Sequence, residues 1–191
     1  MKKTLFVLLI TIIMATSGCA NATFDQFSGP QAGDTVVTMQ TSEGDIKIRL
    51  FDELTPEMVT NFTTLAKEGY YDGLLFHRVI DGFMIQGGDP NGNGTGGHSY
   101  KGAGTKLDDE IAPGLTHSRG AISMANSGSD TNGSQFFIVQ SDAAYLDGSY
   151  SLFGQVYDGM DVVDAIADVT TDGNDKPIVD VVIESVQIDT Y

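Results

Sequence analysis

Tryptophan is absent from this chain of 191 residues, cysteine occurs once, and only 10 residues are Lys or Arg against 26 Asp or Glu. A lone Cys19 cannot close an intramolecular disulfide, so the fold must be held by a buried core. The shortage of bases, with a formal net charge of −16, argues against nucleic acid as a partner, because phosphate neutralisation needs clustered Lys and Arg. The excess of acid reads instead as a soluble acidic surface. Leu5–Met14 is an apolar run too short to span a bilayer comfortably, and it comes directly after Lys2 and Lys3, which is the form of a targeting segment rather than of part of the fold.

Ala15-Thr16-Ser17-Gly18-Cys19 leads from that run to the single cysteine and resembles the lipobox of bacterial lipoproteins, where cleavage leaves a diacylated N-terminal cysteine. Thr16 departs from the larger aliphatic residue usual there. The expected organisation is a signal peptide over 1–18, a lipidated Cys19 with a flexible tether over 19–34, and one folded domain over 35–191. The protein is then extracytoplasmic and held to a membrane through its lipid. An ordinary signal peptide cut nearby, or an uncleaved anchor, is the competing reading. Removal of 1–18 takes Lys2 and Lys3 and no acid, leaving 26 acidic against 10 − 2 = 8 basic residues.

The remainder, 41% hydrophobic over the whole chain and containing most of the 23 glycines, suits a single compact domain. Between Val36 and Phe51 apolar residues alternate with polar ones around Ser42-Glu43-Gly44-Asp45, predicting an antiparallel hairpin with Ile46, Ile48 and Leu50 inward and Lys47 and Arg49 outward. Thr55-Pro56 opens a helix over 56–68, with Met58, Phe62, Leu65 and Ala66 on one face and Gly69 as its stop. Short apolar runs at 76–80, 83–86, 121–125 and 135–139, separated by Gly, Asn and Asp, predict further strands. A second helix is expected over 160–167, then a last strand over 179–188, with a bulge where the apolar phase slips between Ile183 and Val186. The fold class is therefore mainly β: a closed antiparallel barrel capped by two α-helices.

Several partial motifs carry little. Gly92–Gly97 matches G-x-G-x-x-G, but His98–Lys106 after it has no helical apolar face, so no helix N-terminus is there to hold a pyrophosphate. Asp89–Gly94 copies half of a calcium loop whose twelfth position is Tyr100 instead of glutamate. His77, His98 and His117 have no metal-ligand spacing, so no metal is assigned and they read as structural or surface residues. Two glycosylation sequons, at Asn61 and Asn132, are short enough to arise by chance.

One constellation is specific. Phe76-His77-Arg78-Val79-Ile80-Asp81-Gly82-Phe83-Met84-Ile85-Gln86-Gly87-Gly88-Asp89, then Ser123-Met124-Ala125-Asn126 with Thr131–Ile138, then Tyr145-Leu146-Asp147-Gly148 with Phe153-Gly154, resemble in order and spacing the three signature blocks of the cyclophilins. The resemblance implies that the barrel is eight-stranded and that the protein is a peptidyl-prolyl cis-trans isomerase with no cofactor. By position, Arg78, Gln86 and Phe83 would be catalytic, with Met84, Ala125, Asn126, Gln135, Phe137, Tyr145, Leu146 and Tyr150 contacting substrate. Tyr145 stands where many members have tryptophan, and Tyr150 where they have histidine. The resemblance implies that isomerase activity survives both changes, whereas cyclosporin binding lacks its indole donor. The implied partners are proline-containing polypeptides and, through Cys19, a membrane; the domain is expected to be a monomer.

These residue types suit the reaction. Rotation about an X-Pro bond faces a barrier of about 18–20 kcal/mol because amide resonance is lost, and no covalent bond changes hands. Only a pocket that favours the twisted amide is required. A permanently charged guanidinium can donate to the proline nitrogen lone pair that exists only in the twisted state, and Arg78 is the candidate donor. Phe83, Met84, Phe137 and Leu146 would grip the ring while Gln86 and Asn126 hold the preceding carbonyl. A peptide-binding chaperone module with incidental turnover is the alternative function, and a purely structural envelope protein would leave the Arg, Gln and Phe set without purpose.

Overall fold

The computed structural model describes residues 24–191; the expected signal peptide and Cys19 lie outside the described residues. Among the described residues there are eight strands: β1 (Thr35–Thr41), β2 (Gly44–Leu50), β3 (Arg78–Ile80), β4 (Met84–Gly87), β5 (Ala121–Met124), β6 (Phe136–Val139), β7 (Leu152–Asp158) and β8 (Ile183–Thr190). They form one antiparallel sheet in the order β3-β4-β6-β5-β7-β2-β1-β8. The helices α1 (Pro56–Lys67) and α2 (Met160–Ala167) fall where periodicity places them.

The sheet curls strongly but is not a fully closed barrel. No ladder joins β3 to β8; their approach is stitched just before β3 and at the start of β8, by a Leu75–Val182 bridge and by Phe76 N–H donating to Val181 O and Ile183 N–H to Leu74 O. The last strand begins at Ile183, and Ile178 and Val179 are exposed on a loop, so apolar character alone overextended it. The expected bulge is present: Gln40 pairs with Ser185 and Thr41 with Ile183, leaving Glu184 as the extra residue.

Alternation decides which face each side chain serves. Val79, Ile85, Ile138 and Ile122 stand opposite one another across β3, β4, β6 and β5 and point into the main core. Phe62 from α1 fills the centre of that core against Tyr71, Phe136 and Phe153 at 5.0–5.5 Å between ring centroids. From α2, Val163 and Ile166 close it from the other side.

Thr55 occupies the N-cap position of α1 but makes no side-chain cap. A distant carboxylate does so instead: Glu110 accepts from Glu57 N–H at 3.3 Å and from Met58 N–H at 2.9 Å. Asn61 and Asn132 are fully buried and hydrogen-bonded to loop backbone, which accounts for both residues without a glycan.

The stretch 24–34, assigned from composition to the tether, is bound to the domain. Arg49, expected outward on its hairpin, is the hub. It pairs with Asp34 at 2.7 Å, donates to Ser28 Oγ at 2.8 Å and stacks over the Phe24 ring, whose edge meets Phe51. Polar composition hid this docking because its contacts are hydrogen bonds and one buried charge rather than an apolar stripe.

Candidate active site

The register that sends Val79 and Ile85 inward sends their neighbours outward. Arg78 faces Gln86, Gln86 faces Phe137 and Phe137 faces Ser123 across four strands, and one step along the sheet Ile80, Met84 and Val139 form a parallel row. Residues distant in sequence are thereby set side by side on the outer face. There Phe137, Met84, Val139, Ala121 and Leu152 make a second apolar cluster, separate from the main core, against which Phe83, Ala125, Leu146 and Tyr150 pack. Tyr150 meets Phe137 edge-on at 5.5 Å, and Phe83 lies 6.0 Å from the ring of Tyr145, which is 73% exposed at the rim.

A chain of amides holds the polar side. Gln135 donates to the carbonyls of Gly94 and Gly96 at 3.2 and 2.9 Å, and its own carbonyl accepts from Gln86 Nε2 at 2.9 Å. One of the two Gln86 amide protons is committed there, and among the described residues its side-chain carbonyl has no hydrogen-bond partner, so it can accept from a ligand or from Arg78 opposite. Asn126 is fixed by donation to Ser149 O at 3.1 Å. Gln86, Gln135, Ala125 and Asn126 line a cavity of about 310 Å³, and Arg78 and Gln86 line another of about 570 Å³ with His77 and Lys176. A 490 Å³ cleft between α1 and β8 holds none of these residues.

Arg78 is neither buried nor locked. Its side chain is 43% exposed, and among the described residues its one ion-pair partner is Asp175, at 3.5 Å. Asp175 has φ 64°, and its carbonyl accepts from Val79 N–H, so the loop that carries this acid is fastened to the strand that carries the arginine. His77 beside it is buried, and burial, opposed by Asp89, lowers its pKa, so it is neutral at pH 7. The carboxylate of Asp89 accepts from the N–H groups of Asn91, Asn93 and Gly94. That loop-organising role explains the calcium-like and dinucleotide-like spacing of 89–97. Gly88, at φ 81°, closes against Ser134 O, where a Cβ would collide.

All eleven residues expected at the site thus lie on or beside this outer surface. Sequence reasoning missed the supports behind it. His117, 2% exposed, stacks on Phe137 at 5.9 Å; its Nδ1 bonds Asp147 at 2.7 Å and its Nε2 bonds Ser123 at 3.1 Å. Burial lowers the His117 pKa against the pull of Asp147, so the ring is neutral, donating from Nδ1 and accepting at Nε2. The histidine was visible in sequence, but Asp175 and the Asp147 link are long-range contacts with no local signal.

Comparison with known proteins fits this geometry. The profile of the family described as "Cyclophilin type peptidyl-prolyl cis-trans isomerase/CLD" matches residues 36–188. Peptidyl-prolyl cis-trans isomerase ppi1 of Schizosaccharomyces pombe is 51% identical over 143 residues, 74% of this chain and 91% of that protein. Peptidyl-prolyl cis-trans isomerase CYP71 of Arabidopsis thaliana is 51% identical over 153 residues, 80% of this chain, which spans only 24% of that longer relative. A crystal structure of a Cryptosporidium parvum cyclophilin type isomerase, determined in the presence of the dipeptide Ala-Pro, superposes with a TM-score of 0.78 at 40% identity, covering 82% of this chain and 99% of that one.

Proposed function

This chain belongs to the cyclophilin-type peptidyl-prolyl cis-trans isomerase family, and from that premise we propose that it accelerates X-Pro rotation in secreted or envelope polypeptides, with Arg78 as the catalytic donor. The observation that carries the reading is the row Arg78–Gln86–Phe137 laid directly beside an apolar cluster that the main core does not need. A prolyl ring seats against Phe137, Met84, Phe83 and Leu146, while Gln86 and Asn126 hold the backbone before it. Rotation then brings the pyramidal proline nitrogen toward the guanidinium.

The solved relative with Ala-Pro supports a proline-containing peptide as the substrate class. A thousandfold acceleration needs only about 4 kcal/mol, within reach of one charged donor at about 1.5–3 kcal/mol combined with exclusion of water. Asp175 holds the arginine at half-exposure without neutralising it through a close bidentate bond.

In a proline-peptide exchange assay the protein is expected to be active, and Arg78→Ala to lose about 10- to 100-fold in rate, matching the worth of a charged hydrogen bond. Undiminished turnover by that variant refutes the role. The exposed ring of Tyr145 favours a second reading, peptide binding as a chaperone; equal refolding of a client by wild type and Arg78→Ala would support it.

Anchoring through Cys19 belongs to the same proposal. Docking of 24–34 leaves only residues 20–23 between that cysteine and Phe24, a span of at most about 18 Å, so the domain would ride close to its bilayer. Mass spectrometry of the mature N-terminus tests this: a diacylated Cys19 is expected, and an unmodified terminus beyond it removes the anchor.

A further inference from the structure

We infer that Gln26, which precedes the family match at residue 36, is a positioning residue for the proline pocket, bracing its far wall through Thr116 and Asp147. The inference rests on the reading of the Arg78–Phe137 surface as the isomerisation site.

Gln26 is 5% exposed although it lies in a segment rich in polar residues. Its amide pairs with the backbone of Thr116 as a neighbouring strand would: Oε1 accepts from Thr116 N–H at 3.0 Å, and Nε2 donates to Thr116 O at 2.8 Å. The second Nε2 proton goes to Gln155 Oε1 at 3.0 Å, and Gln155 donates in turn to Arg119 O at 2.8 Å. This pattern fixes which end of the amide is oxygen and uses every proton it has. A buried amide satisfied three times specifies one position of the segment it holds.

The held segment faces the pocket. Thr116 Oγ1 donates to Asp147 Oδ2 at 2.8 Å, and His117 N–H donates to Asp147 Oδ1 at 2.8 Å. Ala143 N–H donates to His117 O at 2.7 Å. Ala143 and Asp147 bracket the 3-10 turn Ala144–Leu146, which carries Tyr145 and Leu146. Both ends of that turn are therefore tied to residues 116–117, and Gln26 ties Thr116 to the barrel. His117 also stacks on Phe137, so the floor and the wall of the ring pocket share one support.

A loosened wall weakens the grip on the proline ring in planar and twisted states alike, which raises KM and leaves kcat nearly alone. Gln26→Met keeps the bulk and removes all three bonds. In the full chain, well below its unfolding temperature, this variant is expected to raise KM for an Ala-Pro peptide about threefold or more while kcat stays within about twofold. Thr116→Val, which cuts only the link to Asp147, should raise KM in the same direction, and the double variant should fall short of the product of the two effects. An unchanged KM in folded Gln26→Met overturns the inference, as does a fall in kcat that merely tracks the folded fraction. If Gln26→Met does not fold, Gln26→Glu decides: it keeps the shape and the acceptor for Thr116 N–H but loses at least one of the two donors, so a raised KM supports the inference and a wild-type KM overturns it. A wild-type protein without isomerase activity would sink the isomerase reading itself, and this inference with it.

Discussion

Arg78 and His117 illustrate two ways in which a single side chain serves one surface. Arg78, the proposed donor, is charged and half-exposed, facing Gln86 with Asp175 as its one ion-pair partner among the described residues. Arg78→Lys keeps the charge but loses the rigid planar fork, and is expected to retain an activity between those of wild type and Arg78→Ala in the same peptide assay. His117 is useful because it is neutral and buried between Asp147 and Ser123. Its folded pKa lies below that of the unfolded chain, as does that of His77. As pH falls below about 6.5 the unfolded state takes up these protons first, so stability is lost on acidification and is fully present at neutral pH. Urea unfolding at a series of pH values should show this decline, and the His117 ring resonances should titrate below about 6.5; titration above that value contradicts the account. The residues that gather on the candidate surface were legible in the sequence because three linear blocks carry most of them. Their supports were not, because Gln26, Asp147 and Asp175 act across gaps of 90, 30 and 97 positions that no local pattern records.

Elements were easiest to read where one physical signal dominated. Helix α1 was anticipated from Pro56, its apolar face and Gly69, and the bulge in β8 from the slip between Ile183 and Val186. The cap of α1 was not, since Glu110 reaches it from a loop 52 residues away from Met58. Glu110→Ala leaves two N-terminal N–H groups unpaired at the positive end of the helix dipole. It is expected to cost about 1 kcal/mol, seen as a melting temperature lower by about 3 °C. Activity at low temperature should be unchanged, because α1 closes the main core rather than the outer cluster. The stretch 24–34 shows the opposite failure. Its Ser, Gly, Pro and Gln content reads as tether, yet Arg49 and Gln26 bind it to the barrel; Arg49, expected outward on its hairpin, gave no hint of this.

At the scale of the molecule, the excess of acid, 26 Asp or Glu against 8 Lys or Arg once Lys2 and Lys3 are set aside, must be carried mainly by the surface of a domain whose core is apolar. Self-repulsion at low ionic strength is screened by salt, so the melting temperature at pH 7 should rise between about 10 mM and 300 mM sodium chloride. The apolar pattern conveyed a mainly β fold with two helices and marked every strand except β7. It could not convey that β3 and β8 stop short of pairing, because closure depends on how far the twisted sheet curls rather than on any residue type. The same sheet serves two apolar clusters, the main core on its inner face and the smaller Phe137 cluster on its outer one. The central claim is that Arg78 acts on the twisted amide and not on the bound ground state, and exchange NMR on an Ala-Pro peptide, measuring affinity and on-enzyme interconversion together, tests it most directly. The account predicts that Arg78→Ala binds the peptide within about twofold of wild type while interconversion slows about 10- to 100-fold; an affinity that collapses while interconversion of the bound peptide persists would contradict it.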